Sequence, residues 1–288
     1  MLAPAIEAAA IIGPVPAASP RIVLLTGPFL THTAFIHTLA ARIPIAAAVR
    51  ETRSVSSRPL VTRAASRIAA IGGSPSRVIE EGLAWLSGRR RARALAPSDA
   101  PAVDEYPVHN LNSDAGVALV RSLKPDILAM CGTGLLQPRV FELAPHAAVN
   151  LHLGLSPRYR GSHCVFWPLY NGEPEWVGIT VHRVDSGIDA GPILAQRRPG
   201  IDRDDDVESL VDKCLRLGYG AMADVVERLS KGLLPGVPQQ LAAGRNYRAS
   251  ELTPDKRAEL EARLAAGYLP RYLDSHGGRV PDVDLINA

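Results

Sequence analysis

The spacing of apolar positions predicts a chain of alternating strands and helices. Residues 22–27 (IVLLTG) form a short β-rich apolar run closed by Gly-Pro, the pattern of a buried parallel strand. Residues 31–42 carry Ala34, Phe35 and Leu39 at helical spacing, and residues 43–49 read as a second strand. The alternation returns with a strand at 106–110, a helix at 115–123 and buried strands at 126–130 and 147–152. Residues 177–184 alternate as a half-exposed strand, with 193–198 as its partner. A long helix is expected over 207–229, where Val207, Leu210, Val211, Leu215, Leu217 and Met222 recur at helical spacing. Asp204, Asp205 and Asp206 precede it, where acids suit a helix N-terminus. One more amphipathic helix is expected over 254–266. The fold class is therefore α/β, a mostly parallel twisted sheet flanked by helices. Such sheets bind ligands outside the carboxyl ends of their strands.

Three stretches depart from that rhythm. Residues 1–20 are apolar but lack a basic start, carry Glu7 and are broken by Pro4, Pro14 and Pro16. They read as an N-terminal arm, not a secretory signal. Residues 51–103 are poor in apolar positions and rich in arginine, notably Arg89, Arg90, Arg91 and Arg93, and read as one or two solvated helices interrupted at Gly72 and Gly73. After residue 232 the pattern dissolves into short polar pieces with Pro235 and Pro238. The expected organisation is an arm over 1–20, a catalytic domain over 21–232 and a short C-terminal extension over 233–288.

Composition narrows the class. With 288 residues, 47% of them apolar, the chain can bury a full-sized core. A net charge of +3 gives no reason to expect nucleic acid. No run approaches the roughly 18 apolar residues of a membrane span, so no membrane partner is expected. Cys131, Cys164 and Cys214 are odd in number and far apart, which argues against a disulfide framework or a structural zinc site. They are read as reduced and buried, in a cytoplasmic protein.

The chemistry concentrates in residues 149–194. Asn150 and His152 lie two apart at the end of a buried strand, so an amide and an imidazole share one face. A loop follows in which Pro157 and Gly161 flank Arg158, Tyr159 and Arg160. Farther on, Asp185 and Asp189 alternate with Gly187 and Gly191, which permit positive φ and a close backbone approach to a ligand. Each feature alone is also what a structural histidine, a turn or a hairpin connection would show.

Together they resemble the folate-dependent formyltransferase family. The resemblance rests on N-x-H (Asn150, His152), on L-x-P-x-(Y/W)-R-G (Leu155, Pro157, Tyr159, Arg160, Gly161) and on D-x-G-x-D-x-G (Asp185, Gly187, Asp189, Gly191). Asn171, Gly172 and the strand opening at Gly178 fall at matching spacing. The resemblance covers about residues 20–230 and is strong from 124 to 194. It implies a Rossmann-like formyltransferase fold, and transfer of a formyl group from 10-formyltetrahydrofolate to an amine by a catalytic trio of Asn150, His152 and Asp189. It implies that the cofactor lies near Gly132, Gly134, Leu135, Leu136, Val184, Asp185 and Gly187. The acceptor side is expected at Ser156, Pro157, Arg158, Tyr159, Arg160 and Gly161. Ser156 departs from the apolar residue that many members carry there.

These residue types suit the reaction. Attack of an amine on a formamide-like carbon builds negative charge on oxygen, which donors at Asn150 and His152 can stabilise. Asp189 can hold the imidazole in place and is the expected proton acceptor. No cluster with metal-ligand spacing is visible, so no metal is expected.

Members that act on transfer RNA carry an additional C-terminal OB-like domain, whereas about 55 residues follow Leu233 here. The expected acceptor is therefore small, an amino sugar nucleotide or an amino acid derivative. Trp167, Tyr170 and Trp176 are read as core first and as stacking surfaces for a base or sugar second. A carrier protein at the basic tract and a homodimer through Tyr247, Tyr268, Leu269 and Tyr272 complete the partner expectations. Two other functions share the motif: a formyltetrahydrofolate deformylase, in which water replaces the amine, and a non-catalytic folate-binding protein.

Overall fold

β1 (Ile22–Thr26) is buried along its whole length and lies inside the sheet, with a strand on either side. The structure, a computed structural model, describes residues 19–286 except 30, 53–94, 96, 98 and 233. β1 pairs in parallel with β2 (Ala47–Glu51) on one side and β4 (Ile127–Cys131) on the other. β3 (Glu105–Val108) extends the sheet beyond β2, and β5 (Ala147–His152) extends it beyond β4, both in parallel. β7 (Ile179–Arg183) and β8 (Ile193–Arg197) then add antiparallel pairings, giving seven strands in the order β3-β2-β1-β4-β5-β7-β8.

Strand alternation sorts side chains to two faces. Ile22 and Leu24 join the core that holds α1 (Thr31–Ala40) and α5 (Val207–Ser230). Val23 and Leu25 face the core that holds α2 (Asp114–Ser122) and the short α3 (Pro138–Phe141). α5 starts where its acids predict: Asp206 accepts the Ser209 amide at 2.7 Å and the Ser209 hydroxyl accepts the Asp206 amide at 2.9 Å, a reciprocal cap. Leu217, expected on the apolar stripe of α5, is exposed.

β7 is buried through Ile179, Thr180, Val181 and His182, not half-exposed as its alternation suggests. Its polar residues face a buried hydrogen-bond network instead of water: Thr180 donates to the Gly154 carbonyl at 2.7 Å and accepts the Ser156 amide at 3.0 Å. β6 (Tyr159–Gly161) was expected as loop; it pairs in parallel with β9 (Arg245–Tyr247) in a second, two-stranded sheet. α4 (Phe166–Asn171) and, after α6 (Pro254–Ala265), α7 (Tyr268–Ser275) are likewise absent from the sequence reading. The C-terminal extension packs back on the domain, with Tyr247, Leu260 and Leu269 buried in the larger core. The expected arm, save its last two residues, and most of the arginine-rich insertion lie outside the described residues. No described helix is long and apolar enough to cross a membrane.

Candidate active site

β5 ends at the carboxyl edge of the sheet and carries Asn150 and His152 on one face. The loop between β7 and β8 brings Asp189 to them. Its backbone turns there with a φ of 46°, uncommon outside glycine. Gln239 steadies the turn by donating to the carbonyls of Asp189 (2.9 Å) and Gly191 (2.7 Å). The Asp189 carboxylate accepts the Gly161 amide at 2.9 Å. Its Oδ2 lies 3.3 Å from His152 Nδ1, and its Oδ1 lies 3.4 Å from Asn150 Nδ2. The structure thus brings Asn150 and His152 to one carboxylate.

It also adds a fourth member. His182 on β7 lies opposite Asn150 in the strand register, with Nε2 3.3 Å from Asp189 Oδ1 and 3.3 Å from Asn150 Nδ2. Sequence reasoning passed over it, although Thr180 and His182 share one face near a strand end just as Asn150 and His152 do.

The two imidazoles are oriented by backbone carbonyls. His152 donates from Nε2 to Tyr159 O at 2.9 Å, and His182 donates from Nδ1 to Arg183 O at 2.7 Å. A carbonyl only accepts, so each bond fixes one ring proton and leaves the other nitrogen facing Asp189. Burial pushes the Asp189 carboxyl up, but His152, His182 and the Gly161 amide outweigh burial and hold it well below the usual carboxylate range. The carboxylate is ionised at neutral pH and lies 3.3 Å from a nitrogen of each ring.

A hollow of about 550 Å³ opens beside this cluster at the strand ends. Asn150, His182 and Asp189 are on its wall, as are all seven residues expected on the cofactor side, at 132, 134–136, 184, 185 and 187. Phe29, Leu135 and Ile188, three apolar side chains left exposed, also line it. His32 underlies the hollow. Burial lowers its pKa to about 4, against the opposing hydrogen bond to Gly27 O, so the ring is neutral at pH 7. Gly132 lies against that ring: a Cβ there would stand 2.3 Å from it.

The residues expected on the acceptor side take mostly structural roles. Ser156 is buried, and its carbonyl accepts from Gln196 at 2.6 Å. Arg158 pairs with Glu173 at 2.6 Å and lies over the Trp176 ring, and the Tyr159 hydroxyl donates to Glu173 at 2.5 Å. Arg160 reaches the carbonyls of Ile188 (3.4 Å) and Leu241 (3.5 Å), bracing the loop of Asp189. Pro157 lines neither this hollow nor a smaller one behind Asp189; of the six, Gly161 alone lines both. Trp167 stacks on Tyr247 and Tyr170 on Phe166, which makes both part of the core. The three cysteines are free and buried, as expected. Among the described residues, no group of three histidine, cysteine or acidic side chains is placed to hold a metal ion.

Sheet order and strand-end hollow define a doubly wound α/β protein with its ligand site at the carboxyl edge. A family model described as formyl transferase matches residues 76–226. The methionyl-tRNA formyltransferase of Anaeromyxobacter dehalogenans is 32% identical over 218 residues, 75% of this chain and 68% of that protein. The chain belongs to the formyl transferase family. The match to the methionyl-tRNA formyltransferase of Pelobacter propionicus is 34% identical over 132 residues, 46% of this chain and 41% of that relative, so it spans less than half the relative's length. An N-formyltransferase from Helicobacter canadensis, solved in complex with folinic acid and dTDP-3-aminofucose, shares the fold at 15% identity. The likeness covers 80% of this chain and 72% of that one, with a TM-score of 0.53.

Proposed function

We propose that the protein transfers a formyl group from 10-formyltetrahydrofolate to the primary amine of a small acceptor. The observation that carries this reading is the gathering of Asn150, His152 and His182 around one ionised carboxylate, Asp189, at the edge of an open hollow. The hollow suits a flat, partly apolar carrier. Exposed Phe29, Leu135 and Ile188 offer apolar surface, and the Gly132 and Gly187 backbones are bare of side chains. Bound there, the carrier supplies a formamide-like carbon.

The chain's own groups divide the work. Asn150 Nδ2, oriented by Asp189, gives a hydrogen bond to the oxygen as its negative charge grows. His152 holds the far side of Asp189 and fixes its direction. An Asp189 held this far below the ordinary range is a weak base, which shifts the proton-accepting role expected of it to His182. With Nδ1–H committed to Arg183 O, neutral His182 presents Nε2 to the hollow as an acceptor for the proton of the incoming amine. Once protonated, that nitrogen has Asp189 Oδ1 at 3.3 Å as its partner and can return the proton to the leaving folate nitrogen as its bond to the formyl carbon breaks.

An amino sugar nucleotide or an amino acid derivative is the acceptor we favour, supported by the ligand pair of the Helicobacter canadensis neighbour. A cytoplasmic location agrees with three free, buried cysteines. Neither the carrier protein nor the homodimer draws support from the site. The test is incubation of the full chain with 10-formyltetrahydrofolate and a panel of amino sugars, amino acids and aminoacyl-RNA, with formyl incorporation read by mass. Asn150→Ala and His152→Ala are expected to lower kcat by about 10²-fold or more with the fold intact. Near-normal turnover in both sinks the assignment, and formate release without any amine favours the hydrolytic reaction.

A further inference from the structure

Asp189 is a loop residue, yet its carboxylate must be fixed within reach of Asn150, His152 and His182. The loop does not hold itself in that shape. At its base the Arg183 amide donates to the Pro192 carbonyl at 2.9 Å, and within it the Gly187 amide donates to Asp185 Oδ1 at 2.9 Å. Neither bond reaches residue 189, whose φ of 46° is in the left-handed region. A residue with a side chain keeps that conformation only where its surroundings impose it.

The groups that impose it come from the stretch after α5. Val237 and Ile193 exchange both amide-to-carbonyl bonds at 2.8 Å, which lays that stretch beside the outgoing end of the loop. Two residues on, half-buried Gln239 donates from Nε2 to the Asp189 carbonyl at 2.9 Å and to the Gly191 carbonyl at 2.7 Å. Both of its side-chain N–H groups are thereby spent on one turn. Its buried Oε1 meets no donor among the described residues, so the amide acts on the loop as a donor alone. Farther along, β9 pairs with β6, and β6 ends on Gly161, whose amide donates to the Asp189 carboxylate at 2.9 Å. One stretch, 237–247, thus holds the Asp189 backbone directly and its carboxylate through a neighbouring strand.

We propose that Gln239 is the positioning residue of Asp189, and that the stretch 237–247 belongs to the catalytic unit and not to an appended extension. With its two carbonyls released, the turn relaxes from the left-handed region, and that rotation swings the carboxylate away from the Gly161 amide. Asn150 then loses the acceptor that aims its N–H at the formyl oxygen, and His182 loses the partner for its proton. A displacement of about 1 Å at a reacting centre can cost about 10²-fold in rate. The role in catalysis rests on the formyl-transfer reading, whereas the hold on the loop does not.

Two variants of the full chain test it. Gln239→Met keeps the length of the side chain and removes both donors, and Gln239→Glu keeps its shape and turns an ionised oxygen on the two carbonyls. Hydrogen exchange of the Gly161 amide, followed by NMR, reports on the carboxylate that accepts it. The Ser162 amide, bonded to the Tyr247 carbonyl at 2.8 Å, is the control for the strand pair. In both variants Gly161 is expected to exchange about tenfold faster or more, with Ser162 within about twofold of wild type. Wild-type exchange at Gly161, or equal acceleration of both amides, overturns the proposal. Turnover is read with 10-formyltetrahydrofolate and the amine panel, where Gln239→Met is expected to lower kcat by about 10–10²-fold and to leave folinic acid affinity within about threefold. Added to Asp189→Asn, the same change is expected to cost less than about twofold more, because no carboxylate remains to be positioned. An undiminished loss in that background also overturns the proposal. If wild type formylates no amine, the formyl-transfer reading falls, and the exchange of Gly161 still decides the hold of Gln239.

Discussion

His182 stands directly across from Asn150 in the antiparallel pairing of β5 and β7, with its Nε2 3.3 Å from Asn150 Nδ2. The contact makes chemical sense in either protonation state. Before substrate binds, the neutral ring accepts one Asn150 N–H; in the proposed reaction that N–H turns to the substrate oxygen, and the freed Nε2 takes the proton of the amine with Asp189 Oδ1 3.3 Å away as its partner. A partner for Nε2 is thus at hand before and after protonation. His182→Gln is therefore expected to lower kcat by about 10²–10⁴-fold, the usual contribution of a positioned acid or base. Donor affinity is expected to be preserved. A kcat within about threefold of wild type in this variant assigns the base elsewhere.

The Asp189 carboxylate ties the proposed chemistry to acid stability. Its folded pKa lies below the unfolded value of about 3.9. The sign follows: the pairing stabilises the fold above the unfolded value and is lost as pH falls through the folded one. Thermal unfolding measured from pH 7 downward is expected to show wild type losing stability more steeply than Asp189→Asn once pH drops below about 5. At pH 7 the same variant is expected to lose at least about 10²-fold in kcat, because the carboxylate that orients Asn150, His152 and His182 is gone.

Legibility in the sequence followed the range over which each feature is determined. β5 was readable to the residue because an apolar run ends in two polar residues on one face, a local signal. The seven positions expected beside the cofactor were named through the family resemblance, without any knowledge of packing, and all of them line the larger hollow. β6 was not readable, because its partner strand lies more than eighty positions away and three residues carry no periodicity. α4 and α7 contain Pro168 and Pro270, which local rules take as helix breakers, although in both helices the proline sits at the third position, where the first turn tolerates it. His182 was hidden by the alternation of β7, which has the same form whether the polar face meets water or a buried polar network.

Gly161 donates its backbone amide to Asp189, so its lack of a side chain bears on both stability and the site. Its φ of +88° is in the left-handed region, and the space a Cβ would fill is taken by Asn246 and Tyr247. Gly161→Ala is expected to cost about 1–3 kcal/mol in unfolding free energy. It is expected to reduce kcat disproportionately, because displacement of β6 pulls the amide away from Asp189. Chemical denaturation and initial rates on one preparation separate the two effects. A stable variant with normal turnover contradicts the role of this backbone in positioning the carboxylate.

Tyr159 tests whether the Pro-Arg-Tyr-Arg-Gly segment touches the acceptor or supports the site from below. Its side chain is 2% exposed, its hydroxyl donates to Glu173 at 2.5 Å and accepts from Asn171 at 3.1 Å, and its ring stacks on Tyr247. Every one of those contacts is internal to the second small sheet and the helix beside it. Removing the hydroxyl leaves the half-buried Glu173 carboxylate short of one donor, although Arg158 still neutralises it. Tyr159→Phe is expected to cost about 1–2 kcal/mol of stability, read as a fall of several degrees in Tm. The acceptor KM is expected to remain within about twofold of wild type, since no atom of Tyr159 lines either hollow. A large rise in acceptor KM with unchanged Tm reverses the assignment and returns this segment to the acceptor side.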